Sequence, residues 1–306
     1  MDNRDRVLKA LDSIAVIITE LKRDLTIESN ISNEVNKSTP MVEDKIDNHE
    51  TIKEVLNSDK WPEAVNPHLI CDPNSEEDKL ERARGIIELM IEEDLKDLKF
   101  LDFGCGQGHC AHISKEYDAT LSVGYDVEKQ KTWESFEAND KTIFTEKFDT
   151  VKENGPYDII LLFDVIDHLK NSNPAQVLSE VKDFLSEKGR VYMRCHPSTS
   201  RHATHLYHDF NKAYVHLVFS KEELKELNVS SKFEEENNGP IHPIAGYGKF
   251  IKESGLKEVN RRDITESPEA FFKTPEISKR IMKNTGHDSF PEFQMSLQFI
   301  DYVLEK

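Results

Sequence analysis

Two short stretches of the chain carry residues whose types and spacing suit chemistry on a nucleotide-like ligand. The first, residues 99–109, reads Lys-Phe-Leu-Asp-Phe-Gly-Cys-Gly-Gln-Gly-His. An apolar run ends around Asp102 and opens into glycines at 104, 106 and 108, with Cys105 between them. The run is too short for a helix and is closed by glycine, so it predicts a buried parallel strand. The glycines let the backbone turn tightly and let a ligand lie against the main chain with no Cβ in the way. Helix-forming residues follow from Ala111 to Tyr117, so the loop feeds a helix start with N–H donors. Strand, loop and helix in this order predict a ligand site at the carboxyl end of a strand. A second apolar run, 121–125, ends in Asp126, where a carboxylate can accept both hydroxyls of a ribose. The G-x-G-x-G spacing lacks the last step of the dinucleotide fingerprint, which weakens a nicotinamide enzyme.

The second stretch, Tyr157 to Leu169, is an apolar strand ending at Asp164 and followed by Asp167-His168. Beyond a further predicted strand, 190–195, lies a segment from His196 to Ala245 that holds six of the twelve histidines. It follows the carboxyl end of a strand and so should lie over the ligand crevice. Histidines 202, 205 and 208 repeat every third residue, but no Cys or carboxylate continues that spacing, and no metal is expected. A substrate-recognition cap with one histidine as general base fits better, since an unperturbed imidazole titrates near neutrality. His168, His196 and His202 are the candidates for taking a proton from an acceptor.

These groups need elements to position them. Ser75 with Asp78 starts a helix whose apolar residues include Leu80, Ala83, Ile87 and Met90. Asn173-Pro174 opens another, which Gly189 should end. Strand–helix alternation from 99 to 195 predicts a parallel sheet. A third strand is expected over 142–146, a sixth over 256–264, and a last one from the alternation of Phe293, Met295, Leu297, Phe299 and Val303. Thr274-Pro275 should start a helix that stops before Gly286.

The first sixty residues are different. Val7, Leu11, Ile14, Ile18, Leu21 and Leu25 form three heptads of an apolar seam. The expected organisation is an amphipathic, coiled-coil-like helix over 1–27, a polar linker over 28–60, and one domain over 61–306 with an insert at 196–245. The seam predicts a homo-oligomer held through residues 4–26. The formal net charge is −18, which excludes nucleic-acid binding through a general phosphate-attracting field. Four cysteines at 71, 105, 110 and 195 lack disulfide or metal spacing, as suits a reducing, cytoplasmic compartment. No signal peptide or membrane span is expected.

The motif Leu101-Asp102-Phe103-Gly104-Cys105-Gly106-Gln107-Gly108, with Asp126 after the second strand and Asp164 and Asp167-His168 after the fourth, resembles the class I S-adenosylmethionine-dependent methyltransferases. The resemblance covers about 75–306. It implies a Rossmann-like, doubly wound α/β sheet of seven strands whose last strand is antiparallel. It implies S-adenosyl-L-methionine as cofactor. Gly104, Cys105, Gly106 and Gly108 would hold its methionine part, Asp102 its amino end, Asp126 the ribose, and a loop carrying Phe148 and Asp149 the adenine, with Asp164 at the end of the fourth strand. The implied reaction is methyl transfer to an oxygen or nitrogen of a small molecule, protein or RNA. DNA is disfavoured, because Phe163-Asp164-Val165-Ile166 stands where base-amino methyltransferases carry Asn-Pro-Pro-aromatic. The rival expectation is a non-catalytic, methyltransferase-like assembly part, supported by the seam and the acidic surface.

Overall fold

The computed structural model describes residues 49–65, 75–136, 142–169, 172–203, 206–208, 210–227 and 242–306. The heptad seam, His205, Cys71 and the polar run at 228–238 lie outside the described residues. The core is a seven-stranded sheet in the order β3-β2-β1-β4-β5-β7-β6. The strands are β1 (Lys99–Phe103), β2 (Leu121–Tyr125), β3 (Thr142–Thr145), β4 (Tyr157–Phe163), β5 (Leu185–Cys195), β6 (Lys257–Thr265) and β7 (Leu297–Glu305). β1 to β5 pair in parallel, and β7 runs antiparallel to both β5 and β6. This is the fold the resemblance implies, with the order reversing between β1 and β4, where a crevice opens at the strands' carboxyl ends.

The sheet is covered on both faces, which is why its central strands are apolar without alternation. On one face Phe100, Ile159 and Leu161 meet Ala83, Ile87 and Met90 of the helix Glu76–Met90. That helix starts where the Ser75 hydroxyl accepts the Asp78 N–H at 3.1 Å, and Glu76, Glu77 and Asp78 fill its first turn, where the helix dipole favours acids. On the other face Leu101, Val123, Ile160 and Leu162 pack among Leu178 and Val181 of the helix Pro174–Phe184 and Ile251 of the helix Ile244–Ser254. β5 is tied to β7 by Arg194, whose guanidinium donates to both Asp301 oxygens at 2.6 and 2.8 Å and lies between the rings of Phe163 and Phe299.

Several expected boundaries move. The helix opened by Pro174 ends at Phe184, and Gly189 lies within β5. A Cβ there would stand 2.8 Å from the Tyr157 carbonyl oxygen, so glycine admits a close backbone approach where the β4–β5 register shifts. Phe293 and Met295 belong to a short helix, Glu292–Ser296, that precedes β7. Phe148 and Asp149 start a helix, Phe148–Asn154, instead of lying in a loop. Within the stretch expected as linker, the short helix that the sequence suggests over 51–56 is present as His49–Leu56, starting two residues earlier and burying Ile52 and Leu56. Trp61 then packs edge-on to Phe271 and Phe272, near Phe219, and its indole N–H donates to the Ala213 carbonyl at 2.9 Å. Among the described residues, no helix is long and apolar enough to cross a membrane.

Candidate functional site

The loop after β1 is folded by three glycines with positive φ: Gly104 at 80°, Gly106 at 48° and Gly108 at 89°. Their roles differ. A Cβ on Gly104 would lie 2.6 Å from a Val165 methyl, and one on Gly108 2.4 Å from the Phe144 ring, so both are needed for packing as well as conformation. A Cβ on Gly106 would meet nothing within 4 Å. Gly106 is therefore where the backbone itself faces open space. The loop is anchored from β2: the Gly104 and Cys105 N–H groups donate to the Tyr125 carbonyl, and the Asp126 carboxylate accepts the Gly106 N–H at 2.8 Å. Its other oxygen accepts the Glu128 N–H at 3.2 Å. A carboxylate has about four lone-pair sites, so capacity for two ribose hydroxyls remains.

Gly104, Cys105 and Gly106 line a cleft of about 340 Å³ together with Asp102, Phe163 and Asp164, a size that suits a small organic ligand. Asp102 shares the Phe100 face of β1, and its carboxylate accepts the Ala111 N–H at 3.2 Å. Burial pushes its carboxyl up to about 7, with the Ala111 N–H opposing. A cationic ligand group beside it would favour the ionised form. The Cys105 thiol is held well above its ordinary range by burial and by Asp102, so its backbone, not its sulfur, serves the cleft.

Asp164 ends β4 with a φ of 55°, a left-handed backbone that a non-glycine residue rarely adopts. The turn Ile166–His168 follows and folds Asp167 back towards it. His196 follows β5, the neighbouring strand, and its Nε2 lies 3.2 Å from an Asp164 oxygen. Burial alone would raise the Asp164 carboxyl, but the His196 charge and hydrogen bond, together with the Arg194 charge, outweigh it and hold it below its ordinary value. Burial opposes charge on His196 too, and Asp164 and Asp167 together overcome it, raising His196 above its ordinary value. Burial and the Asp164 carboxylate push Asp167 up to about 6. The His202 ring lies 5.0 Å from that of His196. Burial and the His196 charge lower His202 to about 3, so it is neutral at neutral pH. His202 also lines a second cleft with Ala64, Arg201, Glu269, Gln298 and Phe299.

The structure thus gathers Asp102, Gly104, Cys105, Gly106 and Asp164 around one cleft, anchors it with Asp126, and brings His196 and His202 beside Asp164. His168 lies in the turn with Asp167, part-buried and close enough to bias both carboxylates. Phe148 and Asp149 are not brought to the cleft: the Phe148 ring packs on Phe103, Tyr125 and Phe184, and Asp149 is exposed. His216 and His242 do structural work in the same segment. The His216 ring meets the Ser198 carbonyl at 3.2 Å, and the His242 carbonyl accepts the Ser198 N–H at 2.9 Å.

Three contributors were not legible in the sequence. The Trp133 indole donates to the Gly106 carbonyl at 2.9 Å and so fixes the loop's free edge. Arg82 and Lys79, on the helix Glu76–Met90, form the cationic wall of the cleft. Lys79 donates to the Gln107 side chain at 3.1 Å, whereas Arg82 has no carboxylate partner among the described residues. Only the helix period could have signalled them, since Lys79, Arg82 and Ala83 fall on one side of it.

A family model described as a methyltransferase domain matches residues 75–234, more than half of the chain. Among curated proteins, none matches. Similar solved structures include 1,6-didemethyltoxoflavin-N1-methyltransferase of Burkholderia thailandensis, crystallised with bound 1,6-didemethyltoxoflavin and S-adenosylhomocysteine: 12% identity, TM-score 0.43, covering 78% of this chain and 83% of that one. A SAM-dependent methyltransferase from Archaeoglobus fulgidus is 16% identical at TM-score 0.46, covering 76% and 95% respectively. Magnesium protoporphyrin IX methyltransferase from Synechocystis, with bound SAH, is 16% identical at TM-score 0.42, covering 74% and 83%.

Proposed function

This chain belongs to the methyltransferase-domain family, and from that premise we propose that it transfers the methyl group of S-adenosylmethionine to an oxygen or nitrogen of an acceptor. The observation that carries this reading is the glycine loop. Gly106 opens its backbone to the cleft, Asp126 reaches across to hold it, and Arg82 and Lys79 supply positive charge opposite. Such a cradle suits a ligand with a ribose, a carboxylate and an amino group. Asp126 would take the ribose, Arg82 the carboxylate and Asp102 the ammonium.

Bound there, the cofactor supplies a methyl group on a positively charged sulfur, which departs as a neutral thioether. The protein's task is to orient the acceptor in line and manage its proton. The Asp164–His196–His202 cluster is suited to that task, because it sits between the cofactor cleft and the second cleft. The second cleft is then the acceptor's entry. Calorimetry with S-adenosylmethionine tests the reading first. Saturable binding at one site per chain is expected, and no binding overturns it. Transfer of tritiated methyl into cell extracts then identifies the acceptor class.

Trp133 offers a check on the loop. Trp133→Phe keeps the ring but removes the hydrogen bond to the Gly106 carbonyl, so cofactor affinity should fall about fivefold, the equivalent of about 1 kcal/mol. Unchanged affinity would show that the loop holds its shape without the indole.

The seam of residues 4–26 has its own proposed role. An isolated helix of three heptads is marginal in water and needs a partner surface, and a second copy of the same seam supplies one. Full-length protein should be a dimer or trimer by light scattering at micromolar concentration. Placing Asp at both Ile14 and Leu21 should yield monomers, because charge cannot be buried in the seam. A wild type that is already monomeric removes self-association.

A further inference from the structure

We propose that Asp164, Asp167 and His196 form a binding site for a divalent cation, placed where an acceptor oxygen would meet the methyl donor. The three side chains each offer one ligand atom, and these atoms all lie within 4.8 Å of one another. Two ligands on a cation bonded at about 2.1 Å stand roughly 3 to 4 Å apart. The Asp164–His196 distance of 3.2 Å is already that of an adjacent pair, and Asp167 needs a small swing to join.

The independent observation is Asp167. It is fully buried, and neither carboxylate oxygen has a hydrogen-bond partner among the described residues. A buried carboxylate left in that state is costly, because nothing replaces the water it gave up. A divalent cation would satisfy the free oxygens and, with two aspartates and a neutral imidazole, make the buried cluster electrically neutral. Local backbone geometry favours the same end. The left-handed Asp164 and the tight turn Ile166–His168 aim two carboxylates from one loop at a histidine just past the end of the adjacent strand.

Carboxylate oxygens suit Mg²⁺ and Mn²⁺, and the single imidazole shifts preference from Mg²⁺ and Ca²⁺ towards Mn²⁺. Three protein ligands leave open positions on an octahedral ion. Asp164 lines the cofactor cleft and His202, next to His196, lines the second cleft, so those positions face the junction. The chemical consequence rests on the methyltransferase reading; the binding does not. A hydroxyl oxygen on the cation loses its proton to solvent more readily. Its lone pair then forms the O–CH₃ bond as the S–CH₃ bond breaks, and that bond's electron pair stays on sulfur. The site therefore selects a hydroxyl-bearing acceptor over an amine.

The test uses full-length protein stripped with EDTA and titrated with MnCl₂, with free Mn²⁺ read by electron paramagnetic resonance. One Mn²⁺ per chain is expected without S-adenosylmethionine present. Asp167→Asn and His196→Gln should each weaken Mn²⁺ at least about tenfold, while calorimetric affinity for S-adenosylmethionine stays within about twofold. That second readout shows that the variants are folded. No Mn²⁺ binding by a wild type that binds S-adenosylmethionine overturns the cation site alone. Wild-type Mn²⁺ affinity in Asp167→Asn moves any site elsewhere and overturns this one. Failure of S-adenosylmethionine to bind, with Mn²⁺ bound, overturns the methyltransferase reading and leaves the cation site standing.

Discussion

Trp61→Ala is expected to destabilise the folded domain by about 3 to 5 kcal/mol, the cost of emptying a large aromatic site. Trp61 is 1% exposed, its ring lies 5.1 Å from Phe271 and 6.0 Å from Phe272, and its N–H is satisfied by Ala213. It therefore clamps three separate stretches: the N-terminal approach, the insert after β5, and the segment between β6 and β7. The neighbouring bonds run the same way. Asn211 donates to the Val65 carbonyl and accepts its N–H, and the Lys212 ammonium donates to the Ser58 carbonyl. Urea denaturation followed by far-UV circular dichroism reads the loss. Trp61→Phe should recover much of it, because the ring contacts survive and only the N–H bond is lost. A loss under about 1 kcal/mol in Trp61→Ala would mean that this aromatic cluster contributes little, and that the N-terminal approach is merely apposed.

The sequence made the sheet legible because its central strands are buried on both faces. Runs such as 157–163 have no other stable use than a parallel strand between helices. The glycine loop was equally legible, since three positive-φ positions need three glycines at alternate places. What escaped has physical reasons. Gly189 is a helix terminator by type, yet here it answers a close approach to the Tyr157 carbonyl, which only the paired strand reveals. Phe293 and Met295 continue the alternation of β7 by accident of spacing, although they sit on a single helical turn before it. The short helix over 51–56 was legible, but not that it packs on the domain, because only two buried positions, Ile52 and Leu56, suffice to dock a helix of eight residues. At the site, Asp126 is legible as an acid ending a strand, but Trp133 and Arg82 are not. Their partners are set by how the crossovers return to the sheet. The meeting of Asp167 with His196 is of the same kind, since one helix and one strand separate them in the chain.

The largest effect expected on ligand binding is that of Asp126→Ala. The carboxylate does two jobs that alanine cannot do. It accepts the Gly106 N–H at 2.8 Å, which holds the one glycine whose Cβ position is open to the cleft, and it offers its remaining lone pairs to the ribose of the cofactor. Each is a charge-assisted hydrogen bond, the stronger class in proteins. Removing them together should cost about 2 to 3 kcal/mol of S-adenosylmethionine affinity, or roughly 30- to 140-fold in Kd. Asp126→Asn separates the two jobs. Its amide oxygen can still accept the Gly106 N–H, so the loop should keep its shape while the charge on the ribose is lost, and affinity should fall between those of wild type and Asp126→Ala. Calorimetry on the three proteins gives the order directly. If Asp126→Asn binds as weakly as Asp126→Ala, the charge on the ribose dominates. If Asp126→Ala binds like wild type, the ribose assignment fails, because a half-buried carboxylate at the end of β2 that contributes nothing to affinity cannot be facing the ligand.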